Sequence, residues 1–358
     1  MIPRVTATVD LAAIRHNLEV VRRFAPASRI MAAVKADAYG HGAVAVARVL
    51  DRADAFAVAC LEEALVLREA GIDRPIVLLE GILSGGEAEE AAAEHLQIVV
   101  HDHWQLLLLD ALGAKPLSVW LKLDTGMHRL GFSPTTAAAL HKFVLARPHW
   151  QFCGWMTHLA CADEPDNRFT DDQLQTFQQA LGDLPGERSI ANSAGLIAWP
   201  GTRTGWVRPG LMLYGASPFA GKTAAELELR PAMSVDSRLI AIRDFEEGAG
   251  IGYGQTFRCP ERMKIGVVAA GYADGVPRVL PTGTPVLVNG VRVPMVGRVS
   301  MDMISVDLRA TPRARVGDSV RMWGEGLPVE EISAAAGTLA YELMCGLTAR
   351  VRRVHENN

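Results

Sequence analysis

The pattern of apolar and polar positions divides the 358-residue chain near residue 229. Residues 3–9 are rich in β-branched types and read as a short strand. Asp10 stands as a helix N-cap before Leu11, Ile14, Leu18 and Val21, which recur at helical spacing to about Phe24. Strand-like apolar runs then follow at 28–34, 55–59, 75–79, 97–100, 117–123, 152–157, 189–192 and 206–208. Helix-like stretches at 41–50, 61–70, 86–95, 104–112, 134–147 and 171–181 lie between most of them. Eight β–α units in sequence fit a (β/α)8 TIM-type barrel better than an open doubly wound sheet.

Beyond Leu229 the helical period fades. Runs at 235–243, 264–270, 284–288, 292–296, 300–306 and 319–323 are separated by turn signals, and one late helix is expected at 329–336. Asn289-Gly290 between two Val-rich runs predicts a two-residue hairpin. The expected organisation is a barrel over residues 1–228 and a mostly β C-terminal domain over 229–358. The strand at 3–9 precedes the barrel and is a candidate to pack with the second domain.

Composition narrows the function. Hydrophobic residues at 49% and charged residues at 21% give ample core and exclude disorder. The absence of a long uncharged apolar run and of an apolar N-terminal region predicts no membrane span and no secretory signal. A net charge of −4 provides no basic footprint for nucleic acid. Five cysteines without a CxxC form neither a disulfide framework nor a zinc site. The expectation is a cytoplasmic enzyme without a metal. His101-Asp102-His103 has the residue types of a metal cluster, but no third ligand stands at a characteristic spacing, and a loop before a helix explains it as well.

Chemistry-bearing residues cluster where barrel strands end, the place where this fold carries its catalytic groups. Lys35 follows the first barrel strand. By itself it is either a solvated strand-end lysine or a partly desolvated amine with a lowered pKa, the form that makes a Schiff base. Lys122 lies inside a predicted strand and needs a partner or a modification if it faces inward, whereas Arg129 just beyond offers a fork of donors to an anion. As a pair they read equally well as surface charges. Asn192-Ser193-Ala194-Gly195 and Arg208-Pro209-Gly210-Leu211 end the seventh and eighth strands, where barrels often bind phosphate. In the second domain Tyr253 sits between two glycines and can project from a loop.

The stretches AVKADAYGHG (33–42), KLDTGMHRLGF (122–132), GWVRPGLMLYG (205–215), GYGQTF (252–257), GYADG (271–275) and GRVSMDM (297–303) together resemble the alanine racemase family across essentially the whole chain. The resemblance implies pyridoxal 5'-phosphate as cofactor and alanine as substrate. It implies that Lys35 binds the cofactor and serves as base or acid on the D face. Tyr253 of the partner subunit would do so on the L face, within a homodimer that shares its active sites. Tyr39, Ser193, Gly210, Leu211 and Tyr341 would hold the phosphate. Arg208 would face the pyridine nitrogen with His158 beside it, Arg129 and the Met301 N–H would hold the substrate carboxylate, and Lys122 would be carried as a carbamate. A bacterial setting follows from the same resemblance, with D-alanine made for the cell wall or alanine catabolised. The chain departs from the family at Ser300, where some members have cysteine, and at Val276, where an aromatic is frequent beside the substrate's access route. The alternatives are a racemase of broader amino-acid range, a non-catalytic pyridoxal-phosphate-binding barrel and a Schiff-base aldolase.

Overall fold

The computed structural model describes residues 3–357. β1 (Thr6–Asp10) leads into the helix Leu11–Phe24, whose first free N–H groups, those of Ala12 and Ala13, donate to the Asp10 carboxylate. Eight strands follow: β2 (Arg29–Ala33), β3 (Ala55–Val58), β4 (Ile76–Leu78), β5 (Gln97–Val100), β6 (Leu117–Lys122), β7 (Trp150–Met156), β8 (Glu187–Ser189) and β9 (Trp206–Val207). They run parallel and close into the (β/α)8 barrel expected from the sequence, with Ile30 beside Val207 completing the circuit. Helices cover the outside. Met31, Ala57, Val99, Trp120, Met156 and Trp206 belong to one buried cluster that fills the barrel interior.

A mostly β region follows: β10 (Met233–Phe245), β11 (Gly250–Ile251), β12 (Phe257–Arg258), β13 (Met263–Val268), β14 (Pro285–Val288), β15 (Val291–Val296), β16 (Ile304–Asp307), β17 (Ser319–Trp323) and β18 (Arg352–Glu356). The long β10 pairs with β17 along its first half and with β13 along its second, which closes the order β13–β16–β15–β14–β17–β10 on itself. β1 lies between β10, antiparallel, and β18, parallel. Asn289 and Gly290, at φ of 49° and 80°, form the two-residue turn between β14 and β15, where Val288 faces Val291. Both residues have the positive φ that such a turn requires.

Several boundaries differ from the apolar pattern. The run at 189–192 is a strand only to Ser189, because Asn192 leaves the sheet to cap the helix Ser193–Ala198 by accepting from Gly195 N. Of the run at 300–306 only Ile304–Asp307 pairs, and Ser300–Met303 is a loop closed by Ser300 N on Met303 O. The helix expected at 41–50 is Ala43–Val49. The helix Ala340–Cys345 and β18 carried no signal strong enough to predict. Val276 is buried, with its N–H on Gly271 O.

Residues Lys35–Gly40 make one left-handed turn, with Ala36, Asp37, Ala38 and Tyr39 at φ between 52° and 54°. Left-handed backbone costs roughly 1–2 kcal/mol per non-glycine residue, so this turn costs about 4–8 kcal/mol. Contacts around it offset that cost. Gly42 N donates to Asp37 O and Ala43 N to the Asp37 carboxylate, while Arg353 Nε donates to Gly40 O at 2.8 Å. The expected helix starts late because of this turn.

Candidate active site

Alternation along a strand places every second side chain on one face. Met31, Trp120, Met156 and Trp206 point into the barrel. The residues two positions further on, Ala33, Lys122, His158 and Arg208, continue that inner face toward the C-terminal mouth, and Lys35 follows Ala33 past the end of its strand, close enough to Lys122 and His158 to lower the pKa of both. Four groups from four strands therefore converge above the packed interior, although no two are neighbours in sequence.

Arg208 is buried, and its donors are spread over neutral acceptors. Nη1 donates to Ser189 Oγ at 2.6 Å, and Nη2 to Thr157 O at 2.6 Å, Ile190 O at 3.2 Å and His158 Nδ1 at 3.3 Å. Burial lowers its pKa to about 10, which leaves it charged at neutral pH. His158 is held well below the usual histidine range, first by burial and then by Arg208, Lys122, Arg129 and Lys35. It is therefore neutral, and its Nδ1 accepts from Arg208. Burial, then Arg208 and Arg129, lower the Lys122 pKa to about 8, with Asp124 opposing. The mouth is a basin of positive charge, and one nearby carboxylate only partly offsets it. Such a basin favours an anionic occupant.

Ser193 begins the helix Ser193–Ala198 and is buried. Its Oγ accepts from Gly210 N at 3.0 Å and Met212 N at 3.3 Å. Among the described residues no acceptor takes the Ser193 hydroxyl proton, so that donor remains for a ligand. Leu211 opens the short turn Leu211–Tyr214 next to it and is buried. A Cβ on Gly210 would lie 2.5 Å from Tyr39 Oη, so a side chain there would occupy the space between the Ser193 loop and the tyrosine. Tyr39 stacks on Tyr214 at 4.7 Å between ring centroids and approaches Tyr341 at 5.6 Å. Burial pushes Tyr341 up to about 12 and Tyr39 higher still, so both are hydroxyl donors at neutral pH. Hydroxyls of Ser193 and the tyrosines, backbone N–H groups and surrounding cations make a donor set that fits a phosphate.

The remaining expected residues stand apart from this cluster. Arg129 is exposed at the rim beyond β6, close enough to Lys122 and His158 to disfavour protonation of both. Tyr253 is 68% exposed on a turn after β11. Met301 is exposed in the Ser300–Met303 loop, tied by Ala273 N to Met301 O. Among the described residues no hydrogen bond joins Tyr253 or Met301 to the barrel mouth. Asp102 accepts from Trp104 N as the cap of the helix His103–Asp110, and His101 Nε2 meets Glu80 O, so both residues have local structural roles.

Sequence reasoning missed Tyr214, whose hydroxyl donates to Ala33 O at 2.7 Å beneath the Lys35 turn. It also missed Ser189 and Thr157, which anchor Arg208, and Glu63, which binds Ala36 N. For Thr157 the available signal was its position at the end of a strand. For Glu63 there was none, because its contact is made across two units of the barrel.

Residues 9–218 match the model of the alanine racemase N-terminal domain, and residues 232–355 match that of the C-terminal domain. Alanine racemase from Thioalkalivibrio sulfidiphilus is 52% identical over 350 residues, 97% of each chain. The crystal structure of the biosynthetic alanine racemase from Pseudomonas aeruginosa superposes with a TM-score of 0.97 at 47% identity, over 99% of this chain and all of that one. A further similar structure is alanine racemase from Bartonella henselae with covalently bound pyridoxal phosphate, at a TM-score of 0.88 and 29% identity over 99% of this chain and all of that one. No helix among the described residues is long and apolar enough to cross a membrane. Two family models covering nearly all of the sequence, a full-length relative sharing half its residues, and a barrel mouth built for an anionic ligand beside a lysine place this chain in the alanine racemase family.

Proposed function

We propose that the chain interconverts L- and D-alanine with pyridoxal phosphate held in the mouth of the barrel, as a homodimer whose subunits share their active sites. The observation that carries this reading is the convergence of Lys35, Lys122, His158 and Arg208 beside the Ser193–Gly210 cradle. Ser193, Gly210, Leu211, Tyr39 and Tyr341 hold the phosphate, and Lys35 binds the cofactor through its amine. Bound pyridoxal phosphate supplies the delocalisation that makes the proton on the substrate Cα acidic.

The residues of the chain do the rest. Removing a proton from one face of Cα and returning it on the other requires a group on each side, because one base cannot reach both faces of a planar carbon. Lys35 rises from the barrel and takes or returns the proton on the D face. Tyr253, exposed on its loop, is available to another subunit, and Tyr253 of the partner subunit serves the L face. Arg129 and the Met301 N–H orient the substrate carboxylate. Arg208, charged and already hydrogen-bonded, faces the pyridine nitrogen and has no lone pair to accept a proton from it. His158 holds Arg208 in place as a neutral acceptor. A lowered pKa gives Lys122 a share of neutral amine, the form that takes up carbon dioxide, and as a carbamate it pairs with Arg129 and removes the buried ammonium.

The test is to incubate the purified protein and pyridoxal phosphate with L-alanine and, separately, with D-alanine and to resolve the enantiomers over time. Convergence of both reactions on an equal mixture is expected. No change in either, while pyridoxal phosphate remains bound, would leave the cofactor site intact and overturn the substrate.

A further inference from the structure

We propose that Glu63 is a positioning residue for Lys35, an inference that rests on Lys35 being the residue that binds the cofactor. Glu63 lies in the helix Leu61–Glu69, which begins just past β3. Its Oε1 accepts from Ala36 N at 2.7 Å and its Oε2 from Ala59 N at 2.8 Å. One carboxylate thus ties the first residue after Lys35 to the residue that follows the neighbouring strand.

The geometry of the peptide explains why this contact matters. The Ala36 N–H belongs to the planar unit whose carbonyl is that of Lys35. Fixing that N–H sets ψ of Lys35 and φ of Ala36 together, and hence the direction in which Lys35 leaves the backbone. Ala36 is at φ 52°, and none of Ala36–Tyr39 is a glycine, so the turn does not hold this shape unaided. Among the described residues, the other side-chain ties to the turn are made further along it: the Asp37 carboxylate on Ala43 N, His41 on Ala38 O and Tyr39 O, and Arg353 on Gly40 O. Glu63 holds the end that bears Lys35.

Both partners of Glu63 are donors, so the site needs an acceptor at each end. A carboxylate provides two, whereas a carboxamide provides one oxygen and one NH2. Whichever way glutamine is turned, one backbone N–H meets another donor. E63Q is therefore nearly equal in volume and changes the charge and the hydrogen bonding, while E63D keeps the charge and changes the reach.

The experiment compares wild type, E63Q, E63D and K35A. Apo-protein is mixed with pyridoxal phosphate, and attachment to the Lys35 peptide is followed by borohydride fixation and mass spectrometry; kcat and KM for alanine and the melting temperature are measured alongside. For E63Q the attachment rate and kcat are expected to fall roughly tenfold to hundredfold, the scale of misplacing a reacting group by about 1 Å, with KM within about twofold. E63D keeps the charge but is too short to span both N–H groups, so a smaller loss of the same kind is expected. It also carries the test if E63Q does not fold. Wild-type attachment and kcat in the folded variant, or a lower melting temperature with both rates per folded molecule unchanged, would overturn the role of Glu63. K35A separates the two levels: if it still attaches the cofactor at the barrel mouth, the assignment of Lys35 fails and that of Glu63 with it; if K35A loses attachment while E63Q keeps it, only Glu63 is wrong.

Discussion

Gly210→Ala tests the phosphate cradle with a single methyl group. Gly210 is at φ −125°, outside the left-handed region, and the added carbon meets named atoms. It would lie 2.5 Å from Tyr39 Oη and 3.1 Å from Cζ, and the ring must retreat by about 1 Å to reach ordinary contact. Tyr39 has little room to do so, being stacked on Tyr214, flanked by Tyr341 and set on a left-handed turn. Overpacking of this kind costs about 1–3 kcal/mol. Whatever part of the clash the empty protein relieves by shifting the hydroxyl returns when phosphate binding draws it back, and that part falls on the complex. At about 1.4 kcal/mol per tenfold, pyridoxal phosphate affinity is expected to drop by roughly 5- to 150-fold. Titrating apo-protein with the cofactor by absorbance measures this, and the melting temperature of the apo-protein reports the share of the cost borne by packing alone. Gly85→Ala is the control. A Cβ there meets nothing within 4 Å at the start of the helix Gly85–Ala93, and affinity should be unchanged. Wild-type affinity and melting temperature in Gly210→Ala would refute the cradle.

In deuterated water Tyr253→Ala should keep bound pyridoxal phosphate yet lose racemisation, most of all the exchange of the Cα hydrogen of L-alanine; full activity in this variant would remove Tyr253 from the mechanism. His41 is fully buried with Nε2 unpartnered, and its pKa is lowered to about 4, first by burial and further by Arg353 and His355, against the raising effect of its bonds to Tyr39 O and Ala38 O. Between about pH 6.5 and 4 the unfolded chain therefore binds a proton that the folded chain does not, and stability falls as the pH falls through that window, by up to about 3 kcal/mol at about 1.36 kcal/mol per pKa unit. Urea unfolding at pH 7 and 4.5 should show this loss in wild type and a smaller one in His41→Asn; equal losses would refute it.

The frame of the candidate site was legible from two periodicities, whereas the roles of its residues came from the resemblance to the alanine racemase family. The alternation of apolar runs with helical stretches specifies a closed barrel, and on a barrel the ends of strands are where chemistry lies. Lys35, Lys122 and Arg208 could be singled out because charge at a strand end or inside an apolar run is costly unless something uses it. The left-handed turn at Lys35–Gly40 could not be read, since Ala36, Asp37, Ala38 and Tyr39 carry no local preference for positive φ strong enough to announce it. The end of the strand at Ser189 was equally hidden, because Ile190 and Ala191 are apolar for reasons of packing rather than pairing.

What the sequence by itself determined is therefore the set of elements and the chemical vocabulary: eight strands with their helices, a β-rich second part, a hairpin at Asn289-Gly290, and lysines and arginines placed where apolar surroundings make them conspicuous. Side-chain period and turn chemistry are local properties, and local properties survive in a one-dimensional string. The tertiary structure decided what those residues meet. It brought Arg208 onto Ser189, Thr157 and His158, set Tyr39 against Gly210 and Tyr341, and braced a strained turn between Glu63 on one barrel helix and Arg353 on the last strand. These contacts join residues tens to hundreds of positions apart, and their geometry depends on strand register and barrel closure, which no single segment encodes.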